Sequence, residues 1–139
     1  MFNPNVVVKN IVESYPIHTI VNFAARALLA YLFIISGYEK ITAYAATVSY
    51  MEAMGVPSGL LPLVILLELG GGLAILFGFQ TRIVALVFVA FNIISALMFH
   101  SSPEDAVNFM KNFAIAGGFL ALVLQGAGRF SLDFMIEKK

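Results

Sequence analysis

Residues 60–100 read LLPLVILLELGGGLAILFGFQTRIVALVFVAFNIISALMFH, two long apolar runs parted only by Gln80-Thr81-Arg82. Leu60 to Phe79 and Ile83 to His100 each approach the roughly 20 apolar residues that a helix needs to cross a bilayer. The three residues between them make a tight turn. Working outward, Thr19 to Gly37 (TIVNFAARALLAYLFIISG) supplies a span before this pair, and Ala106 to Gln125 supplies one after it. Pro57 and Gly59 precede the second span. Ser101-Ser102-Pro103-Glu104-Asp105 caps and opens the fourth, with Pro103 suited to a first helical turn. Gly126 and Gly128 stop that helix. Thr42 to Gly55 is too polar to span, and its pattern suits a short helix lying on the membrane surface.

The expected fold class is therefore all-α, an integral membrane four-helix bundle over residues 19–126. Residues 1–18 form a loose or surface-lying arm, and residues 127–139 a tail. Ala43-Tyr44-Ala45 has the look of a signal-peptidase site, but the preceding run is too long for a signal h-region and Arg26 interrupts it.

Composition points the same way. The chain is 60% hydrophobic and 12% charged, whereas a water-soluble domain carries about 25% charged residues. A soluble enzyme and a disordered chain are both excluded. Eight basic residues balance eight acidic ones, so the basic footprint of a nucleic-acid binder is missing. Without cysteine there are no disulfides, thiolate metal sites, iron–sulfur clusters or cysteine nucleophiles. His18 and His100 fall at opposite faces of the bilayer, which rules out bis-histidine haem ligation. A Ser-His-Asp triad fails too, because His18 has no spanning partner and His100 has no buried acid in view. No metal site is expected. Gly70-Gly71-Gly72 reads as close helix packing, since phosphate-cradling glycines need a strand-to-helix context.

Lys and Arg in loops mark the cytoplasmic side. Four spans put both termini together, with Lys9, Arg82, Arg129, Lys138 and Lys139. The opposite loops offer Lys40 alone. Both termini are expected in the cytoplasm.

A charge at the bilayer centre costs at least about 2.5 kcal/mol, so it is normally paired and turned inward. Arg26 and Glu68 qualify. Reckoned from Gly37 and Leu60 as outer ends, Arg26 lies about 16 Å deep and Glu68 about 12 Å, at 1.5 Å per residue. The two are expected to meet as an ion pair. Lys111 enters at about 6 Å, with Asn92 and Asn112 at about 12 Å and 8 Å. Four faces recur at helical spacing: Asn22, Arg26, Ala30, Phe33 and Gly37; Glu68, Gly71, Gly72 and Ile75; Asn92, Ala96 and His100; Lys111, Ala114, Gly118, Ala121 and Gln125. If all four turn inward, Arg26, Glu68, Asn92, Lys111 and Asn112 line a polar pocket in the outer half, with Lys40 and His100 at its mouth. The same residues admit a purely structural reading, in which the ion pair fixes register and the asparagines bond between helices.

Several blocks of the chain together resemble the DoxX family of small bacterial inner-membrane proteins, of the YphA-like and YqjF-like kind. They are Gly37-Tyr38-Glu39-Lys40, Glu68-Leu69-Gly70-Gly71-Gly72-Leu73-Ala74, Gly78-Phe79-Gln80-Thr81-Arg82, His100, Lys111-Asn112-Phe113-Ala114-Ile115-Ala116-Gly117-Gly118 and Gly126-Ala127-Gly128-Arg129-Phe130-Ser131-Leu132-Asp133. The likeness lies in their order and spacing over roughly residues 19–133. It implies a four-helix membrane protein, and some members of the family are linked to quinone-dependent oxidoreductase complexes.

Three functional readings follow. In the first, the chain is a small subunit or accessory of a membrane redox system and holds a quinone, not covalently bound, in the outer pocket. Arg26, Lys111 and Asn112 would donate to it, and Glu68 would relay a proton. The sequence has no haem, flavin or metal motif, so a redox partner protein would supply electrons and the chain is no stand-alone enzyme. The second reading is a ligand-free scaffold or assembly protein. The third, a small-solute transporter, lacks a broken helix and an internal repeat. Membrane lipid is the one partner common to all three. A second copy of the chain in a homo-oligomer is compatible with each.

Overall fold

The computed structural model describes residues 1–138; Lys139, counted above among the basic residues, lies outside them. Helix α1 (Pro4–Glu13) is followed by α2 (Ile17–Thr42), the first span, and by α3 (Tyr44–Ala53). The second span, α4 (Ser58–Phe77), opens with a 3-10 turn and widens to a π-helical stretch over Leu66–Gly71. The third is α5 (Thr81–Phe99). The fourth is α6 (Ala106–Gln125), opened by a 3-10 turn over Pro103–Asp105, and α7 (Leu132–Glu137) closes the chain. Four helices are long and apolar enough to cross a membrane, and no strand occurs among the described residues. In hydrocarbon every backbone N–H and C=O must be satisfied within the segment, and the helix does that.

The first span is longer than Thr19–Gly37 at both ends. Glu39 and Lys40 do not end the helix; it runs on to Thr42. That extension moves every depth reckoned from Gly37, with consequences for Arg26.

Aromatic packing fills the middle of the bundle. Phe33 of α2 meets Phe88 of α5 at 4.4 Å between ring centroids and Phe119 of α6 at 5.6 Å, and Phe88 stacks on Phe119 at 4.8 Å. Ala30, Ile75, Ala85 and Ala116 close the gaps around the rings. Large apolar side chains such as Leu28, Leu63, Leu86 and Met110 point outward, as a lipid-facing surface requires. The inward faces of α2, α4 and α5 run through Asn22, Arg26, Ala30, Phe33 and Gly37, through Glu68, Gly72 and Ile75, and through Asn92 and Ala96, all buried. The fourth span turns the other way. Its buried face is Ala116, Phe119 and Leu122, while Lys111, Ala114, Ala121 and Gln125 are exposed. Phe119 is what the aromatic cluster takes up, and this places the small-residue face outward.

Candidate functional site

Two polar centres stand at opposite ends of the bundle. The first, at the end carrying the termini, is built on Arg26, which is wholly buried. Its Nε donates to Asn22 Oδ1 at 3.0 Å, one turn earlier on α2. Its Nη1 donates to the carbonyls of Ile75 and Leu76 at 3.3 and 2.9 Å, and its Nη2 to the carbonyl of Phe130. The cation thus caps the C-terminal end of α4, where unpaired carbonyls and the helix dipole favour positive charge. Gly78 ends that helix at φ 69°, and a Cβ there would stand 2.7 Å from Arg26 Nη1. Only glycine fits.

The segment after Gly126, read from the sequence as a tail, completes this centre. Asn22 donates from Nδ2 to the Gly126 carbonyl at 3.0 Å and accepts at Oδ1 from Gly128 N at 2.8 Å. Asp133 accepts from the backbone N–H groups of Gln80 and Thr81 at 2.7 and 2.8 Å, capping α5. Arg82 Nη1 donates to the carbonyls of Val123 and Leu124 at 2.7 and 2.9 Å, capping α6. Each charge sits at the helix end of complementary polarity.

The second centre lies under α3 at the opposite end. Lys40 Nζ stands 2.9 Å from Glu68 Oε2 and donates to Ser36 Oγ at 2.9 Å. The ammonium thus bridges the carboxylate and the Ser36 hydroxyl, and Oε2 is shut off from the surface. Glycine sets this register as well. A Cβ on Gly37 would lie 2.8 Å from Leu69 N, so α2 and α4 touch backbone to backbone one turn below Lys40. The π-helical stretch that holds Glu68 is a local widening of the kind often found at functional positions.

Above the pair opens a cavity of about 290 Å³. Lys40 of α2, Tyr50 and Met51 of α3, Leu61 and Glu68 of α4, Phe91, Ser95 and Phe99 of α5, and His100 just past the end of α5 border it. Tyr50 stacks on Phe99 at 5.6 Å. Met51 and Val56 pack on Leu61 and fix α3 to the bundle. At the rim, His100 Nδ1 is bonded to Asp105 Oδ2, and Asn108 Nδ2 donates to Asp105 Oδ1 at 2.6 Å. His100 therefore does have an acid beside it, supplied across the turn into α6.

The expected pairing of Arg26 with Glu68 is not formed. Positions 26 and 40 of one helix are about 21 Å apart at 1.5 Å per residue, and Glu68 is bound at the Lys40 level. Stopping the first span at Gly37 takes about 8 Å off the depth of Arg26. The larger part of the gap arises because the outer ends of α2 and α4 are not level: Glu68 is ten residues into α4 but beside Lys40, two residues from the end of α2. Of the seven residues expected at the pocket, Lys40, Glu68 and His100 border the cavity and the other four do not. Asn92 is buried but bonds to its own helix, at the Phe88 carbonyl. Lys111 is exposed and Asn112 half-buried on α6, whose rotation turns them from the site. Ser36, Tyr50, Ser95 and Asp105 were not anticipated. Ser36 was findable, one helical turn before Lys40, and so was Asp105, five residues after His100 across a short turn.

The DoxX family model matches residues 21–101. That range holds the first three spans with Lys40, Glu68 and His100, and it stops before Asp105. The chain is 56% identical over 118 residues to Inner membrane protein YqjF of Escherichia coli (strain K12), covering 83% of this chain and 91% of YqjF. It is 36% identical over 119 residues to Inner membrane protein YphA of the same organism, covering 78% of this chain and 85% of YphA. CatD of Bacillus subtilis (strain 168), whose name marks it as a candidate oxidoreductase, is 29% identical over 117 residues, covering 81% and 84%. No solved structure matches. With more than half of its length matched by the family model and close relatives covered nearly end to end, the chain belongs to the DoxX family.

Proposed function

We propose that the chain is a small inner-membrane subunit or accessory of a quinone-linked oxidoreductase system and holds a quinone ring in the cavity beneath α3. The observation that carries this reading is the pair of half-buried Lys40 and buried Glu68 facing a cavity whose remaining walls are mostly apolar and aromatic. Apolar walls with a few convergent polar groups are the usual make-up of a small-molecule site, and about 290 Å³ lies near the lower end of the roughly 300–1,000 Å³ such sites span. A single substituted ring suits that space, with any long tail left in the lipid. A quinone oxygen accepts from Lys40, and a quinol hydroxyl donates to the Glu68 carboxylate. Quinone becomes quinol by taking up two electrons and two protons. Lys40 and Glu68 would handle the proton at one ring oxygen, water at the open rim of the cavity would supply the proton at the other, and a redox partner protein would supply the two electrons. The names of YqjF and YphA as inner membrane proteins and of CatD as a candidate oxidoreductase support the setting. The basic bias toward the side of the termini supports a cytoplasmic position for both, with the cavity in the outer half.

A ligand that binds only the folded state stabilises it by RT ln(1 + [L]/Kd), about 2.7 kcal/mol at a hundredfold excess over Kd. Unfolding of the purified protein in detergent is measured with and without a short-tailed benzoquinone. The wild type should gain stability, and Glu68→Gln and Lys40→Met should fold yet lose most of the gain. No gain with any quinone would leave the ligand-free scaffold as the better reading.

A further inference from the structure

A ring held beside Lys40 and Glu68 must arrive through one of the seams around the cavity, and most of these are packed. α2 and α4 touch backbone to backbone at Gly37 and Leu69. Met51 and Val56 close α3 onto α4 at Leu61, and Tyr50 closes it onto α5 at Phe99. The rim at His100 and Asp105 is polar, a path for water and not for an apolar chain. α4 and α5 are joined at the opposite end of the bundle by the turn after Gly78. They stay close as far as Gly71, where a Cβ would stand 3.0 Å from the Phe88 ring. Beyond that contact the two helices part, and the cavity opens in the gap.

We infer that this gap is a lateral slot to the outer leaflet, and that the site therefore takes a membrane-dissolved quinone whose long apolar tail lies in the slot. The inference deepens the quinone reading above and rests on it. Two apolar rails edge the slot: Leu60 and Val64 on α4, and Ile94 and Met98 on α5. Within each pair the residues are four apart, so they share one face of their helix. Leu60, Ile94 and Met98 border the cavity and are nevertheless 43%, 54% and 42% exposed. The cavity thus continues to the outer surface between them. That surface belongs to two spans, so what meets it is lipid. Val64 and Ile94 stand six and five residues in from the outer ends of those spans, about 8–9 Å at 1.5 Å per residue. That is within the outer half of a hydrocarbon core roughly 30 Å thick. A tail lying there exchanges one apolar surface for another and gains little affinity. The slot gives the tail room and direction, and Lys40 and Glu68 hold the ring.

Binding is measured in lipid nanodiscs for a tail-free benzoquinone and for the same ring carrying a decyl tail. The wild type should take both. Ile94→Trp sets a large ring across the slot from an exposed position. It should weaken the decyl compound about tenfold or more, or about 1.4 kcal/mol, and leave the tail-free ring within about twofold, less than half of that free energy. Val64→Trp repeats the test from the opposite rail should the first variant misfold. Ile94→Ala widens the slot and should leave both affinities near wild type. A decyl analogue with a diazirine near the ring end of its tail should, on illumination, label Leu60, Val64, Ile94 or Met98. Equal loss of both compounds in the Trp variants, or undiminished binding of the decyl compound in them, would overturn the inference and leave the ring site standing. So would a label on α2, α3 or α6, or a wild type that takes only the tail-free ring. Failure of both compounds to bind the wild type would overturn the quinone reading with it.

Discussion

The two ends of the bundle bury charge in opposite ways. Arg26 has no acidic partner in contact. Instead its guanidinium is shared among Asn22 and the carbonyls of Ile75, Leu76 and Phe130, with the chain after Gly126 folded across it. Lys40 and Glu68 have each other, and a cavity opens above them. A charge enclosed by its partners on every side holds helices together and has nothing left for a ligand. A charged pair that borders a mostly apolar cavity keeps a side from which a ligand can approach. The difference separates a structural centre from a binding centre, although both lie within spans.

Breaking the enclosed centre should have the largest effect. Arg26→Leu strands several carbonyls and Asn22, and each buried acceptor left unsatisfied costs about 1–3 kcal/mol. Denaturant unfolding in detergent should show that loss. Arg26→Lys should recover only part of it, because an ammonium cannot match a planar fork directed at three elements. Gly37→Ala comes next. Its new methyl would press on Leu69 N, and overpacking of this kind costs about 1–3 kcal/mol. Because it also parts α2 from α4 beside Lys40 and Glu68, it should weaken the quinone-induced stabilisation. Lys111→Met marks the small end of the scale. The side chain is exposed on α6, so stability should stay within about 0.5 kcal/mol of wild type and the ligand gain should be unchanged.

Much of the architecture is legible in the residues. The apolar runs and their Pro and Gly punctuation locate four spans, and the polar segment after Thr42 locates α3. Glu68 and Lys40 announce themselves by cost and by position, but their pairing does not. A helix that carries Glu39-Lys40 near its end invites an early stop at Gly37, which removes about 8 Å from the depth of Arg26. Taking the outer ends of α2 and α4 as level supplies the rest, since Glu68 lies ten residues into α4 yet beside Lys40. The rotation of α6 is hidden for another reason. A helix apolar on every side offers two periodic faces, and the small one was favoured by the rule for helix contacts in lipid, whereas Phe119 decides the matter by stacking on Phe88. Asp133 capping α5 is a contact across some fifty residues, with no local pattern to betray it. The Asp105 contact with His100 was within reach of a turn-level reading.

Double-mutant cycles on the three charged residues test the separation of the centres most directly. Stabilities are measured for Lys40→Leu, Glu68→Leu and Arg26→Leu, and for the two pairings with Glu68→Leu. Touching residues show coupling of about 0.5–3 kcal/mol, and distant ones add within about 0.3–0.5 kcal/mol. The account predicts strong coupling between Lys40 and Glu68, with the double mutant more stable than the sum of its singles implies, and additive losses for Arg26 with Glu68. Coupling between Arg26 and Glu68, with additivity between Lys40 and Glu68, would contradict it.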